Sequence, residues 1–177
     1  MYSKERFGIL GGSFDPPHKG HLEISKISIK KIGLKKIYWI VTKKNPFKRK
    51  PFYSLKERIF RSKKIVAKHN KIQILYLDDI VKSSRTVDIV RYLKKIKNHK
   101  NLYLIIGSDN LLGFHKWTSW QKIVKLAKLV VFSRKGYVKE SKESKIVKYL
   151  RKKNIIFIKN KFINISSSQI KNNQLNR

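Results

Sequence analysis

Six short runs rich in β-branched and aromatic residues recur along the chain: RFGIL, KIYWIV, KIQILYL, LYLIIG, KLVVFS and NIIFI. Several are apolar at consecutive positions, the pattern of strands covered on both faces. Between them, apolar residues at helical spacing predict helices over 18–32, 54–68, 86–96, 108–114 with 119–127, and 141–152. Strand alternating with helix leaves few folds open, because parallel strands need crossovers and crossovers are right-handed. The expectation is an α/β fold with one doubly wound, mostly parallel sheet. A single domain over 1–177 is long enough to bury a core, with a frayed tail from about residue 172. Ser54 and Glu57 form a capping box, which marks the start of the second helix. Before it, KKNPFKRKPF reads as a polar loop broken by Pro46 and Pro51.

Charge is the strongest feature of the composition: 44 Lys plus Arg against 10 Asp plus Glu, a net +34. Such an excess draws anions, whether nucleic acid, phospholipid headgroups or nucleotides, and makes their binding salt-sensitive. The lysines are spread along the whole chain rather than gathered in one stripe. Alanine is scarce while isoleucine and asparagine abound, the pattern of an A- and T-rich coding bias. Nucleic-acid contact is therefore expected only as non-specific attraction. The absence of cysteine excludes disulfides and thiolate metal sites and suits a reducing compartment. No apolar run reaches membrane-spanning length, and the first residues lack the layout of a secretory leader. A cytoplasmic protein without membrane contact is expected.

In a doubly wound sheet, ligands sit beyond the carboxyl ends of the strands. Three chemically loaded segments fall there. The first is GILGGSFDPPHKGHLEI, where Gly11 and Gly12 follow the first strand and let backbone amides approach a ligand. The helix beginning near His18 aims its positive end at the same spot, and His18 and His21 share one face of its first turn. This stretch is open to three readings: a phosphate turn, a metal site, or a structural corner capped by two histidines. The metal reading lacks further ligands, and no side chain is assigned to a metal. The second segment, IIGSDNLLGFHKWTSW, sets Asp109 where it can accept from ribose hydroxyls. Trp117 there either stacks on a flat ring or lids the core, and Trp120 belongs to the core. Ser133 and Arg134 end the fifth strand on the same rim.

NISSSQI, 164–170, forms a further helix start: Ser166 as N-cap, Gln169 closing a capping box, Ile165 and Ile170 as staple. Three serines there, with Lys171 one turn on, also make an anion cradle. His69, His99 and His115 read as surface residues, and Asp78–Asp79 as a solvated turn rather than a magnesium site.

Together these residues resemble the HxGH nucleotidyltransferase superfamily and, within it, the bacterial nicotinate-nucleotide adenylyltransferases. GGSFDPPHKGH is similar to the family's GG(S/T)FDPxHxGH, IIGSD to IIGxD, and FSRKG to its R-x-G stretch. KWTSW supplies the family's tryptophan, and ISSSQIK resembles IS(S/A)TxIR. The resemblance runs in order from about Phe7 to Lys171. This sequence departs from the pattern at Val41, Asn45 and Phe47, and carries SRT for SYT, Ile89 for a second threonine and Lys171 for arginine.

The resemblance implies a Rossmann-like fold and the reaction of ATP, with Mg²⁺, and nicotinate mononucleotide to nicotinate adenine dinucleotide and pyrophosphate. Catalysis would fall to His18, His21 and Lys171. ATP would be bound by Gly11, Gly12, Ser13, Phe14, Gly107, Asp109, Ser166, Ser167 and Ser168. Lys48, Thr86, Trp117 and Arg134 would hold the mononucleotide. The alternatives are another HxGH enzyme, pantetheine-phosphate adenylyltransferase-like or preferring nicotinamide mononucleotide, and a basic nucleic-acid-binding α/β protein.

Overall fold

The computed structural model describes residues 5–43, 50–151, 153–160, 167 and 169–171. Six strands, β1 (Arg6–Gly12), β2 (Lys36–Val41), β3 (Ile72–Leu75), β4 (Asn101–Gly107), β5 (Ala127–Phe132) and β6 (Ile155–Ile158), form one sheet. Its order is β3-β2-β1-β4-β5-β6, and every pairing is parallel. The strand order reverses between β1 and β4, so a crevice opens beyond their carboxyl ends. The described helices are α1 (Lys19–Ile32), α2 (Leu55–Val66), α3 (Asp78–Val81), α4 (Thr86–Lys95), α5 (Ser108–Gly113), α6 (Trp120–Leu126), α7 (Val138–Lys142) and α8 (Lys145–Leu150).

Strand residues alternate between two cores, one on each face of the sheet. Ile9, Ile40, Leu104 and Val131 point to the face covered by α4, α6 and α8. Leu10, Trp39, Ile105 and Val130 point to the face covered by α1 and α2. On that second face Gly8 is needed for space. A Cβ there would lie 2.8 Å from both Leu34 and Ile37, inside van der Waals contact. Helix α1 ends at Gly33, whose φ of 68° suits a residue without a Cβ.

Three details differ from the sequence reading. The helix expected over 141–152 is two short ones, α7 and α8, because Ser144 takes extended backbone and starts a new helix. Asp78 opens a four-residue helix in place of a solvated turn. His99 is not a free surface residue: its ring stacks on Phe7 at 3.7 Å, and a nitrogen pairs with the Tyr38 hydroxyl at 2.8 Å. Burial there pulls its pKa below the ordinary histidine value.

Candidate active site

The turn after β1 is built around two histidines that cap α1. His18 is its N-cap, and its Nδ1 accepts the Gly20 amide at 3.1 Å. His21 returns the bond, its Nδ1 accepting the His18 amide at 3.2 Å. This is a capping box made by two imidazoles instead of the usual serine and glutamate. The structural reading of the stretch, a helix start capped by two histidines, is what this geometry shows. A ring nitrogen that accepts an amide N–H carries no proton, so the neutral ring's proton sits on Nε2. Helix capping thereby fixes the tautomer and places each ring's N–H on the side away from the backbone it caps. The rings lie 3.9 Å apart at their centroids.

The core holds this turn from beneath. Trp39, fully buried, donates to the Ser25 hydroxyl at 2.8 Å, and that hydroxyl donates to the His21 carbonyl at 2.8 Å. Phe14, in left-handed backbone at φ 49°, stacks on Trp39 and tilts against His21. Its ring is 2% exposed, so the contribution expected of Phe14 to a ligand is confined to its backbone. Ser13 is likewise buried.

A buried arginine that sequence reasoning missed ties this turn to its surroundings. Arg58 of α2 is 2% exposed. Its Nη1 donates to the Ser13 carbonyl at 2.6 Å and the Thr42 carbonyl at 2.8 Å, and its Nε to the Tyr53 carbonyl at 3.2 Å. Burial lowers the guanidinium's pKa from its ordinary value, while Asp15 and Asp78 support its charge. Asp78 in turn accepts the Lys43 amide at 2.8 Å. Burial pushes the Asp78 carboxyl up, and Asp79 beside it adds to the rise.

Asp15 completes the frame. It accepts the amides of Phe52 and Tyr53, both at 2.9 Å, and pairs with Lys171 Nζ at 3.1 Å. Ser167 donates to the Pro16 carbonyl at 2.9 Å, so two expected residues of the last motif meet the first motif. Burial alone would raise the Asp15 pKa, but the two amides and the Lys171 ammonium hold it below its ordinary 3.8. A carboxylate whose folded pKa is depressed stabilises the fold above the unfolded value, and that contribution is lost as pH falls through the folded one. Asp15→Asn is therefore expected to lower stability by about 2 kcal/mol at pH 7. Its gap to wild type should be constant near neutrality and begin to narrow as urea midpoints are measured at pH values below 3.8. A gap that stays constant there would remove Asp15 from the acid response.

Across the crevice, Gly107 caps α5 where a Cβ would collide with Asp109 Oδ1 and lie 2.9 Å from Arg134 Nε. Arg134 Nε forms an ion pair with Asp109 Oδ1 at 3.3 Å, and that shielded oxygen accepts no hydrogen bond among the described residues. Between the two halves lies a cavity of about 440 Å³ at the switch point, reached by Gly11, Gly12, Thr86, Asp109 and Trp117. Its floor is apolar, formed by Ile9, Ile40, Ile89 and Ile123. Trp117 is partly buried against Phe114, with ring centroids 4.8 Å apart, so it both packs on the core and lines the cavity. No side chain caps α4, and Thr86 opens that helix at the cavity wall. Of the expected residues, Lys48, Ser166 and Ser168 lie outside the described ones.

Residues 9–173 match the family described as cytidylyltransferase-like. A relative from Pelagibacter ubique (strain HTCC1062), named as a probable nicotinate-nucleotide adenylyltransferase, is 46% identical over 95% of this chain and 93% of its own. Another of the same name, from Ruegeria sp. (strain TM1040), is 35% identical over 73% of this chain and 68% of its own. Among solved structures, the Plasmodium falciparum nicotinic acid mononucleotide adenylyltransferase complexed with NaAD shares the fold. Its TM-score is 0.76 over 95% of this chain and 83% of that one, at 20% identity. A glycine turn, a histidine-capped helix and a switch-point cavity are thus found in a chain that belongs to the cytidylyltransferase-like family and, within it, to the nicotinate-nucleotide adenylyltransferases.

Proposed function

We propose that this protein transfers the adenylyl group of ATP to nicotinate mononucleotide, giving nicotinate adenine dinucleotide and pyrophosphate, in the cytoplasm. The observation that carries the reading is the junction of the histidine-capped turn with the cavity at the switch point: Gly11 and Gly12 line both. In this reaction a phosphate oxygen of the mononucleotide attacks the α-phosphorus of ATP. The bond from that phosphorus to the β-bridging oxygen breaks, and pyrophosphate leaves. The nucleophile is already ionised at neutral pH, so no general base is required. Catalysis rests on in-line positioning and on donors aimed at the charge that develops.

His18 and His21 supply those donors through Nε2–H, held in register by the cap. The amides after Gly11 and Gly12, with the positive end of α1, receive the ATP phosphates. Asp109 accepts from the ribose, with Gly107 leaving room for it. Ser166, Ser167, Ser168 and Lys171 are assigned to cradle the triphosphate, and Ser167 and Lys171 are held beside the first motif by Pro16 and Asp15. Trp117, which lines the cavity together with Thr86, stacks on the pyridine ring. Lys48 and Arg134 are assigned to the mononucleotide phosphate by the family resemblance alone, since Arg134 lies against Asp109. Magnesium enters as part of the ATP substrate, and Asp15, which accepts the amides of Phe52 and Tyr53, is not needed as its ligand.

The test is pyrophosphate release from ATP and Mg²⁺ offered nicotinate mononucleotide, nicotinamide mononucleotide or phosphopantetheine. Release is expected to be fastest with the nicotinate substrate and to fall at least tenfold in Trp117→Ala, mainly through KM, as expected for one lost ring-stacking contact. Equal or faster release with phosphopantetheine would replace this reading with its nearest alternative.

A further inference from the structure

Two cations stand at the mouth of the cavity with nothing to do. Arg85, the residue before α4, and Lys116, the residue before Trp117, both line it and are both solvent-exposed. Among the described residues neither side chain makes a hydrogen bond or an ion pair, although nearby charges elsewhere do pair: Arg91 with Asp88, and Arg134 with Asp109. They belong to different segments, yet Thr86 and Trp117, their immediate neighbours, line the same space. Below them the cavity is closed by Ile89 and Ile123.

A flat ring lying against Trp117 over that apolar floor would bring its substituent to a rim carrying two positive charges. The acidic group lining the cavity, Asp109, lies against Arg134 at 3.3 Å. A ring carboxylate gains from both cations, and the strength of charge-assisted contacts exceeds that of neutral ones. A ring carboxamide has no net charge to offer and must also place an NH₂ donor, for which two cations are no acceptors.

We propose that Arg85 and Lys116 are the residues by which this enzyme prefers the acid form of its mononucleotide over the amide form. The proposal rests on the reading of the cavity as the mononucleotide site. Charge, more than the guanidinium fork, carries the preference, because the two groups reach the rim from separate segments and act on it through solvent-exposed positions.

The experiment measures the affinity of nicotinate and of nicotinamide mononucleotide calorimetrically, without ATP, for wild type, Arg85→Gln, Lys116→Met, the double variant and Arg85→Lys. Wild type is expected to bind the acid more tightly. Each neutralising substitution is expected to lower the acid-to-amide affinity ratio about tenfold, equivalent to about 1.4 kcal/mol. The double variant loses more than either single one, and Arg85→Lys keeps most of the preference. Raising salt should compress the wild-type ratio towards that of the double variant. An unchanged ratio in the double variant, or equal binding of both forms by wild type, overturns the proposal. Failure of the reaction itself would appear separately, as bound nicotinate mononucleotide that releases no pyrophosphate from ATP.

Discussion

His18→Asn is expected to fold as wild type does and yet lose about 10²–10³-fold in kcat. Asparagine is a favoured N-cap, so its side-chain oxygen can take over the Gly20 amide that His18 Nδ1 now accepts. What it cannot replace is the donor on the far side of the ring, since the asparagine amide ends close to the backbone it caps. His18→Ala removes both functions. It should show the same loss of turnover together with a loss of about 1 kcal/mol from the missing cap, a fall in Tm of roughly 2–4 °C for a chain of this size. Comparing the two variants separates structure from chemistry at one position. Steady-state pyrophosphate release and thermal melts of the three proteins decide it. Wild-type turnover in His18→Asn would leave the histidine as a cap alone.

Arg58→Met is expected to have the largest effect on stability of any single substitution at this rim. The methionine fills much of the volume, but the carbonyls of Ser13, Thr42 and Tyr53 lose a buried donor at once. Asp15 and Asp78 lose the cation between them. Breaking a buried charge network from one side typically costs about 3–5 kcal/mol. That corresponds to a fall of roughly 6–20 °C in Tm. Chemical denaturation read by tryptophan fluorescence measures it, since buried Trp39 reports on the core beneath the turn. Arg58→Lys restores the charge without the fork, so most of the loss should persist. A loss under 1 kcal/mol in the methionine variant would mean that the carbonyls find water and that the network is not what holds the turn.

The sequence reading was strongest where local chemistry dictates structure. Ser54 and Glu57 form the capping box expected of them, with the Glu57 amide 3.2 Å from the Ser54 hydroxyl. The strands appear where β-branched runs predicted them. Part of the expected set lines one cavity, namely Gly11, Gly12, Thr86, Asp109 and Trp117, whereas His18, His21, Gly107 and Arg134 are not among its lining residues. Arg58 escaped notice because residue type argued for solvent. Its position argued otherwise: Arg58, Ser62 and Val66 fall on one stripe of α2, and all three are buried. An arginine on the inward stripe of an amphipathic helix was the available signal. Asp78 was hidden for a related reason. Its partners, Lys43 and Arg58, are distant in sequence and come together only when β2 and β3 pair. The histidine cap illustrates the opposite difficulty, since the residues were visible but their bonds to backbone were not. The tautomer of the two imidazoles follows from which nitrogen the helix occupies, and that is a matter of geometry.

The reversal of strand order between β1 and β4 also bears on how the chain folds. Each neighbouring pair on either side, β1 with β2 and β4 with β5, is joined by a local crossover, whereas Phe7 meets Leu102 only after the chain has travelled through β2, β3 and α4. Contacts so distant along the sequence close late, because the entropy of closing a loop rises with its length. The central seam is therefore expected to join two partly assembled halves. Gly11 and Gly12 belong to one half, Asp109 and Trp117 to the other. A refolding chain is expected to regain its helical content before it regains a place for either substrate.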